Sequence, residues 1–171
     1  MTLRPGRTTR TIKRPWTRVS KRVPKKSYVK GVPVSKIHQF EVGAKGEYNV
    51  TLSLFAQRSV QIRSNAMESA RIAATALLEK RLGTNFFFKI LLFPHQVLRE
   101  KPIATGAGAD RYSKGMGGKP FGKPTGVAVR VEAGQELVEL RINKENMEIG
   151  KAALKRFSYK IPTPVKLSIS E

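Results

Sequence analysis

NAMESARIAATALLEKRLG, residues 65–83, is the stretch whose reading decides the fold class. Ala66, Ala70, Ala73 and Leu77 recur on one face at helical spacing, with Met67, Ala74 and Leu78 alongside. Such a stripe is a core face, and its small alanines predict close packing on a sheet. Asn65 stands where an N-cap is expected, Glu68 three residues on completes a capping box, and Gly83 ends the helix.

Outward from this helix, the texture on both sides is that of strands. Upstream, residues 37–42, 48–56 and 60–62 are rich in β-branched and aromatic residues. Downstream, residues 86–93 read as a strand apolar enough to be buried on both faces, with 97–100 as a short continuation. Residues 126–132 and 136–142 form two more strands around the turn Ala133-Gly134. Asn143 is placed to cap a second helix, in which Met147, Gly150, Leu154 and Phe157 recur at helical spacing. Pro162 and Pro164 stop it, and 165–169 alternates like an edge strand. Strands around two separated helices predict an α+β domain with a mainly antiparallel sheet.

The first 36 residues have another character. They hold twelve Lys or Arg and no acid, the first carboxylate being Glu41. Pro5, Pro15, Pro24 and Pro33 forbid a continuous helix. The division is therefore an extended basic arm, 1–36, and one domain, 37–171. Arg4, Arg7, Arg10, Lys13, Arg14, Arg18, Lys21, Arg22, Lys25, Lys26 and Lys30 are candidate RNA contacts, with Trp16 able to stack on a base. The plain alternative is a disordered solubilising tail, which needs no interleaved Trp.

Across 171 residues, 33 Lys and Arg against 12 Asp and Glu give a formal net charge of +21. That excess calls for a polyanionic partner: nucleic acid, an anionic membrane surface or an acidic protein. Membrane is the weakest of these, because the longest apolar run is broken by Lys89 and far too short to span a bilayer. The N-terminus has no apolar segment of the kind a secretory signal requires. No cysteine is present, which removes disulfides and thiolate sites. A soluble intracellular chain is the expectation, and the sequon at Asn49 reads as chance.

Residues 102–124, PIATGAGADRYSKGMGGKPFGKP, form a long loop with no apolar periodicity. Its six glycines allow close backbone approach to phosphate, and Arg111, Lys114, Lys119 and Lys123 face the single acid Asp110. Two nucleotide motifs fail here. Gly106-Ala107-Gly108 opens a dinucleotide fingerprint whose third glycine is Arg111. Gly117 to Lys123 approaches a Walker A loop, but Pro124 stands where a hydroxyl must hold magnesium, and a strand-like VAVRV follows instead of a helix. His38 and His95 are far apart, and no catalytic or metal constellation is present. No cofactor is expected.

The run AGADRYSKGMGGKPFGKPTGVAVRV, residues 107–131, resembles the hallmark segment of the archaeal and eukaryotic large-subunit ribosomal protein family L-ten-e, the counterpart of bacterial L-sixteen. KGVPVSKI (30–37), AMESARIAA (66–74) and KILLFPHQVLREKP (89–102) match in the family's order. The resemblance implies an α/β-hammerhead-type fold, an arm on large-subunit rRNA, and a loop directed to tRNA near the A site and the peptidyl transferase centre. It also implies a role in late subunit maturation. The tRNA-proximal set is then Gly106, Gly108, Asp110, Arg111, Lys114, Gly115, Met116, Lys119, Phe121, Gly122 and Lys123. Two departures occur: Gly117 replaces an arginine common in the family, and Gly118-Lys119-Pro120 lengthens the loop by one residue. Implied partners are large-subunit rRNA, tRNA, neighbouring ribosomal proteins and assembly factors. No membrane contact and no homo-oligomer are expected. An archaeal source and a cytoplasmic, ribosomal location follow from the same resemblance. A free-standing nucleic-acid-binding protein is the alternative.

Overall fold

A computed structural model of the chain describes residues 3–12, 29–100 and 122–170. Among these residues the strands β1 (Glu41–Gly43), β2 (Val50–Ala56), β3 (Val60–Arg63) and β4 (Phe87–Ile90) are followed by β5 (Gln96–Glu100), β6 (Lys123–Val131), β7 (Glu136–Ile142) and β8 (Val165–Ser170). Helix α1 spans Ser64–Leu82 and helix α2 spans Met147–Ser158. The fold is α+β with two sheets, ordered β1-β4-β7-β2-β8 and β3-β6-β5. Every strand pair in them is antiparallel.

The five-stranded sheet shows the alternation that its sequence requires. Along β2, Val50, Leu52, Leu54 and Ala56 are buried and the residues between them are half-buried. Leu140 lies between Phe88 on one side and Leu52 on the other, so large apolar side chains from three strands share one face. Helix α2 packs on that face. A Cβ on Gly150 would meet Ile142 Cδ1 and stand 2.7 Å from Leu52 Cδ1, so any larger residue must push these two side-chain ends aside. The rings of Phe157 and Phe88 lie 6.0 Å apart at 60° and close the same contact. Helix α1 packs beside α2 and reaches the smaller sheet, so both helices share one core. Strand β8 is an edge, with its Leu167 opposite Leu54.

The capping assignments need correction. Strand β3 runs directly into α1, and Arg63, still paired with Ala128, is the extended residue before the helix. No side-chain oxygen caps α1, and Asn65 lies inside its first turn. The strand leaves no free residue that could turn a cap into place. Gly83 does end the helix, with φ at 61° and its N–H on Glu79 O at 3.0 Å. Asn143 precedes a short 3-10 turn, Lys144–Asn146, and α2 begins one turn later than expected, again without a side-chain cap.

Two strand assignments also change. The strand expected over 86–93 is confined to Phe87–Ile90, while Leu91 and Phe93 are exposed. Pro94 follows, without an N–H to extend the ladder. Residues 96–100 are not its continuation. They cross to the other sheet and pair with β6.

Candidate nucleic-acid interface

Residues 3–12 begin the basic arm, and they are docked on the domain. Arg10 O accepts the Gln61 N–H at 2.9 Å, along the outer edge of β3. The Gln61 side chain gives its Nε2 to Thr9 O at 2.8 Å, and Arg63 Nη1 donates to Arg4 O at 2.8 Å. Arg4 Nε stands 3.0 Å from Glu100 Oε2 on β5. Since β3 and β5 are opposite edges of the three-stranded sheet, residues 4–10 cross it as a strap. A 3-10 turn, Gly6–Thr8, makes the strap compact, and Thr9 is buried.

The strap fixes where its cations stand. Arg7 and Arg10 are exposed, and Lys30 is exposed at the start of the next described segment. Arg4 is engaged with Glu100, so part of its charge is answered within the protein. Lys13, Arg14, Trp16, Arg18, Lys21, Arg22, Lys25 and Lys26 lie outside the described residues.

Of the loop candidates, Gly106, Gly108, Asp110, Arg111, Lys114, Gly115, Met116, Lys119 and Phe121 also lie outside them. Its two roots are described. Glu100, ending β5, is paired in register with Lys123, which begins β6. Gly122 is buried and takes φ at 81°, a conformation suited to glycine where the chain turns into the strand. Lys123 and Pro124 therefore belong to β6, so the Walker-like stretch runs into a strand, not a helix.

Two cations absent from the expected set, Arg63 and Lys160, gather beside the strap with Arg10. Arg10 and Arg63 line a pocket of about 310 Å³ together with Tyr159 and Lys160, from the end of α2, and Gln61. Arg63 sits at a strand-to-helix junction and Lys160 past a helix end, so no local run of charge marks either. Tyr159 is 71% exposed, the most open aromatic among the described residues. A second aromatic group stands elsewhere: Phe93 stacks on Phe40 at 5.5 Å, with the His95 ring 4.8 Å from Phe93.

Carboxylates near these surfaces are mostly neutralised. Glu68 accepts from Arg71 at 2.6 and 3.0 Å and from the His38 N–H at 3.3 Å. The Arg71 hydrogen bonds hold its pKa below the usual carboxylate value, against the opposing effect of burial. The Arg71 guanidinium is shifted upward by the same pair. On the outer face of the larger sheet, Lys45 lies 2.8 Å from Glu41 and keeps that carboxyl low. No cluster of metal-ligating side chains occurs among the described residues, and no helix there is long and apolar enough to cross a membrane.

Comparison with known proteins agrees with this geometry. The family model of ribosomal protein L16p/L10e matches residues 15–168. The large ribosomal subunit protein uL16 of Archaeoglobus fulgidus is 40% identical over 100% of this chain and 95% of its own length. The protein of the same name from Methanoculleus marisnigri is 46% identical over 84% of this chain and 85% of its own. That of Methanococcus maripaludis is 40% identical over 100% and 96%. A match of this extent spans the arm's second half, both sheets and both helices, and the chain belongs to the ribosomal protein L16p/L10e family.

Proposed function

We propose that the chain is a structural constituent of the large ribosomal subunit, held by its basic arm and pocket-side cations to the subunit's rRNA. The observation that carries this is the family match over residues 15–168, joined to relatives named as large-subunit proteins. The chain works as a component of the ribosome and not as an enzyme, in the cytoplasm, among rRNA and other ribosomal proteins. Its net charge of +21 supplies the physical reason: neutralised phosphates release counterions, and that term dominates affinity.

The finer reading concerns the division of labour. The arm, 1–36, and the domain, 37–171, anchor the protein, while the loop 102–124 reaches tRNA near the A site and the peptidyl transferase centre. Lys119 stands in for the cation lost at Gly117. Assembly factors are further partners before the subunit is complete. The paired roots, Glu100 and Lys123, support a loop that projects from a fixed base.

The test is cosedimentation of tagged protein from a lysate through a sucrose gradient, in moderate and then high salt. Recovery with large subunits and whole ribosomes is expected. Protein left at the top of the gradient in moderate salt would favour a free nucleic-acid binder. For the finer reading, deletion of 105–119 is expected to leave incorporation intact and to weaken A-site tRNA binding. Loss of incorporation would overturn that division.

A further inference from the structure

The pocket beside the strap has a composition that rRNA binding in general does not require. Arg10, Arg63 and Lys160 contribute three cations, and none of the residues lining it is a carboxylate. Three positive groups around one pocket repel each other unless an anion sits among them. The carbonyls at the end of α2 offset this charge only in part, since the helix dipole there amounts to less than one full negative charge. Lys155 O, Phe157 O and Ser158 O already accept from Tyr159, Lys160 and Ile161 N–H at 3.3, 3.1 and 3.1 Å.

Two further features point to the ligand's other end. Tyr159 offers an exposed aromatic ring in the same lining. Gln61, 2% exposed, has its Nε2 committed to Thr9 O, yet its Oε1 has no donor. A buried amide oxygen left unpaired is costly, and natural proteins seldom tolerate one without a use. The strap holds Gln61 in this state, because Arg10 O takes its backbone N–H and Thr9 O takes one N–H of its amide.

We propose that this pocket seats a single unstacked nucleotide of RNA. Its phosphate lies among Arg10, Arg63 and Lys160, and its base stacks on Tyr159. Gln61 Oε1 then accepts from an N–H on the edge of the base. All four bases offer an N–H on that edge, an exocyclic amino group or the imino N–H of uracil, so Gln61 adds a hydrogen bond without choosing the base. This rests on the rRNA-binding reading above and adds to it a place.

The experiment uses the full chain with fluorescein-labelled single-stranded oligoadenylate and oligouridylate, read by anisotropy at moderate and high salt. High salt weakens phosphate-only contacts most, so the stacked base stands out. Tyr159→Ala is expected to weaken oligoadenylate binding at high salt by about 5- to 20-fold, the effect of roughly one stacked base. Tyr159→Phe is expected to restore it. Gln61→Leu is expected to weaken binding of oligoadenylate and oligouridylate alike. Lys160→Ala is compared with Lys151→Ala, an exposed cation outside the pocket with the same charge change, and is expected to weaken binding by more. If Tyr159→Ala stays within about twofold of the unaltered chain while that chain binds normally, the pocket is overturned and the ribosomal reading stands. If the unaltered chain binds neither oligomer and does not cosediment with subunits, both fall.

Discussion

Arg71 grips Glu68 with two prongs, Nη2 on Oε1 at 2.6 Å and Nε on Oε2 at 3.0 Å, while the His38 backbone N–H reaches the same carboxylate. Both side chains are about nine-tenths shielded, at 12% exposure each. A residue that reads in the sequence as half of a capping box thus ties the segment before β1 to the flank of α1.

Breaking that tie has a pH signature. Glu68→Gln is expected to cost about 1–3 kcal/mol, because the buried guanidinium loses its charged partner. The Glu68 pKa is held below 4.5 by Arg71. Its contribution is therefore complete above the unfolded carboxylate value and is lost as pH falls through the lower folded value. Urea unfolding of the chain and the variant should show a gap that is constant near neutrality and closes in acid. A gap that persists to about pH 2 would contradict this assignment.

Gly150 sets the distance between α2 and the sheet. Gly150→Ala removes a poor helix former, which alone would stabilise by about 1 kcal/mol. The new Cβ would press on Ile142 and Leu52, both fully buried, and overpacking of this kind costs about 1–3 kcal/mol. The core term wins, and Gly150→Val is worse. Thermal unfolding checks the order, and a Gly150→Ala variant more stable than the unaltered chain would reverse it.

Removing residues 1–12 should unsettle β3 specifically. The Gln61 N–H loses Arg10 O, and its buried amide loses Thr9 O. About 1–3 kcal/mol of stability goes with these partners. Hydrogen exchange should quicken at Gln61 while the β2 and β7 amides keep their protection. Uniform quickening through both sheets would mean that the strap supports the whole domain.

Affinity for RNA should depend steeply on salt. If about ten phosphates are neutralised, the log–log slope is roughly −7 to −9. A slope near −2 would show that the arm's cations are not seated on phosphates.

How far these features are legible in the sequence depends on what holds each of them. The α1 stripe and the β2 alternation are visible because burial imposes a period on the chain, as with Met67, Ala70 and Ala74 or Val50, Leu52 and Leu54. The capping residues mislead because a cap depends on the chain before the helix, and Arg63 is already bound into β3. Residues 96–100 read as a strand, but periodicity carries no sign of which sheet a strand will join. The strap is invisible for another reason. A few main-chain and amide hydrogen bonds hold it, and those leave no hydrophobic pattern. The pocket beside it draws on residues from three stretches of the chain, with cations as far apart as Arg10 and Lys160. Only folding gathers them.

The register of Glu100 with Lys123 has an evolutionary consequence. A loop whose two ends are locked as neighbouring rungs is insulated from the domain that carries it. Residues can be gained or lost between those rungs without displacing a single partner elsewhere in either sheet, and lengthening an already long loop adds little closure entropy. A lineage can vary how far this protein extends while the platform beneath it stays the same.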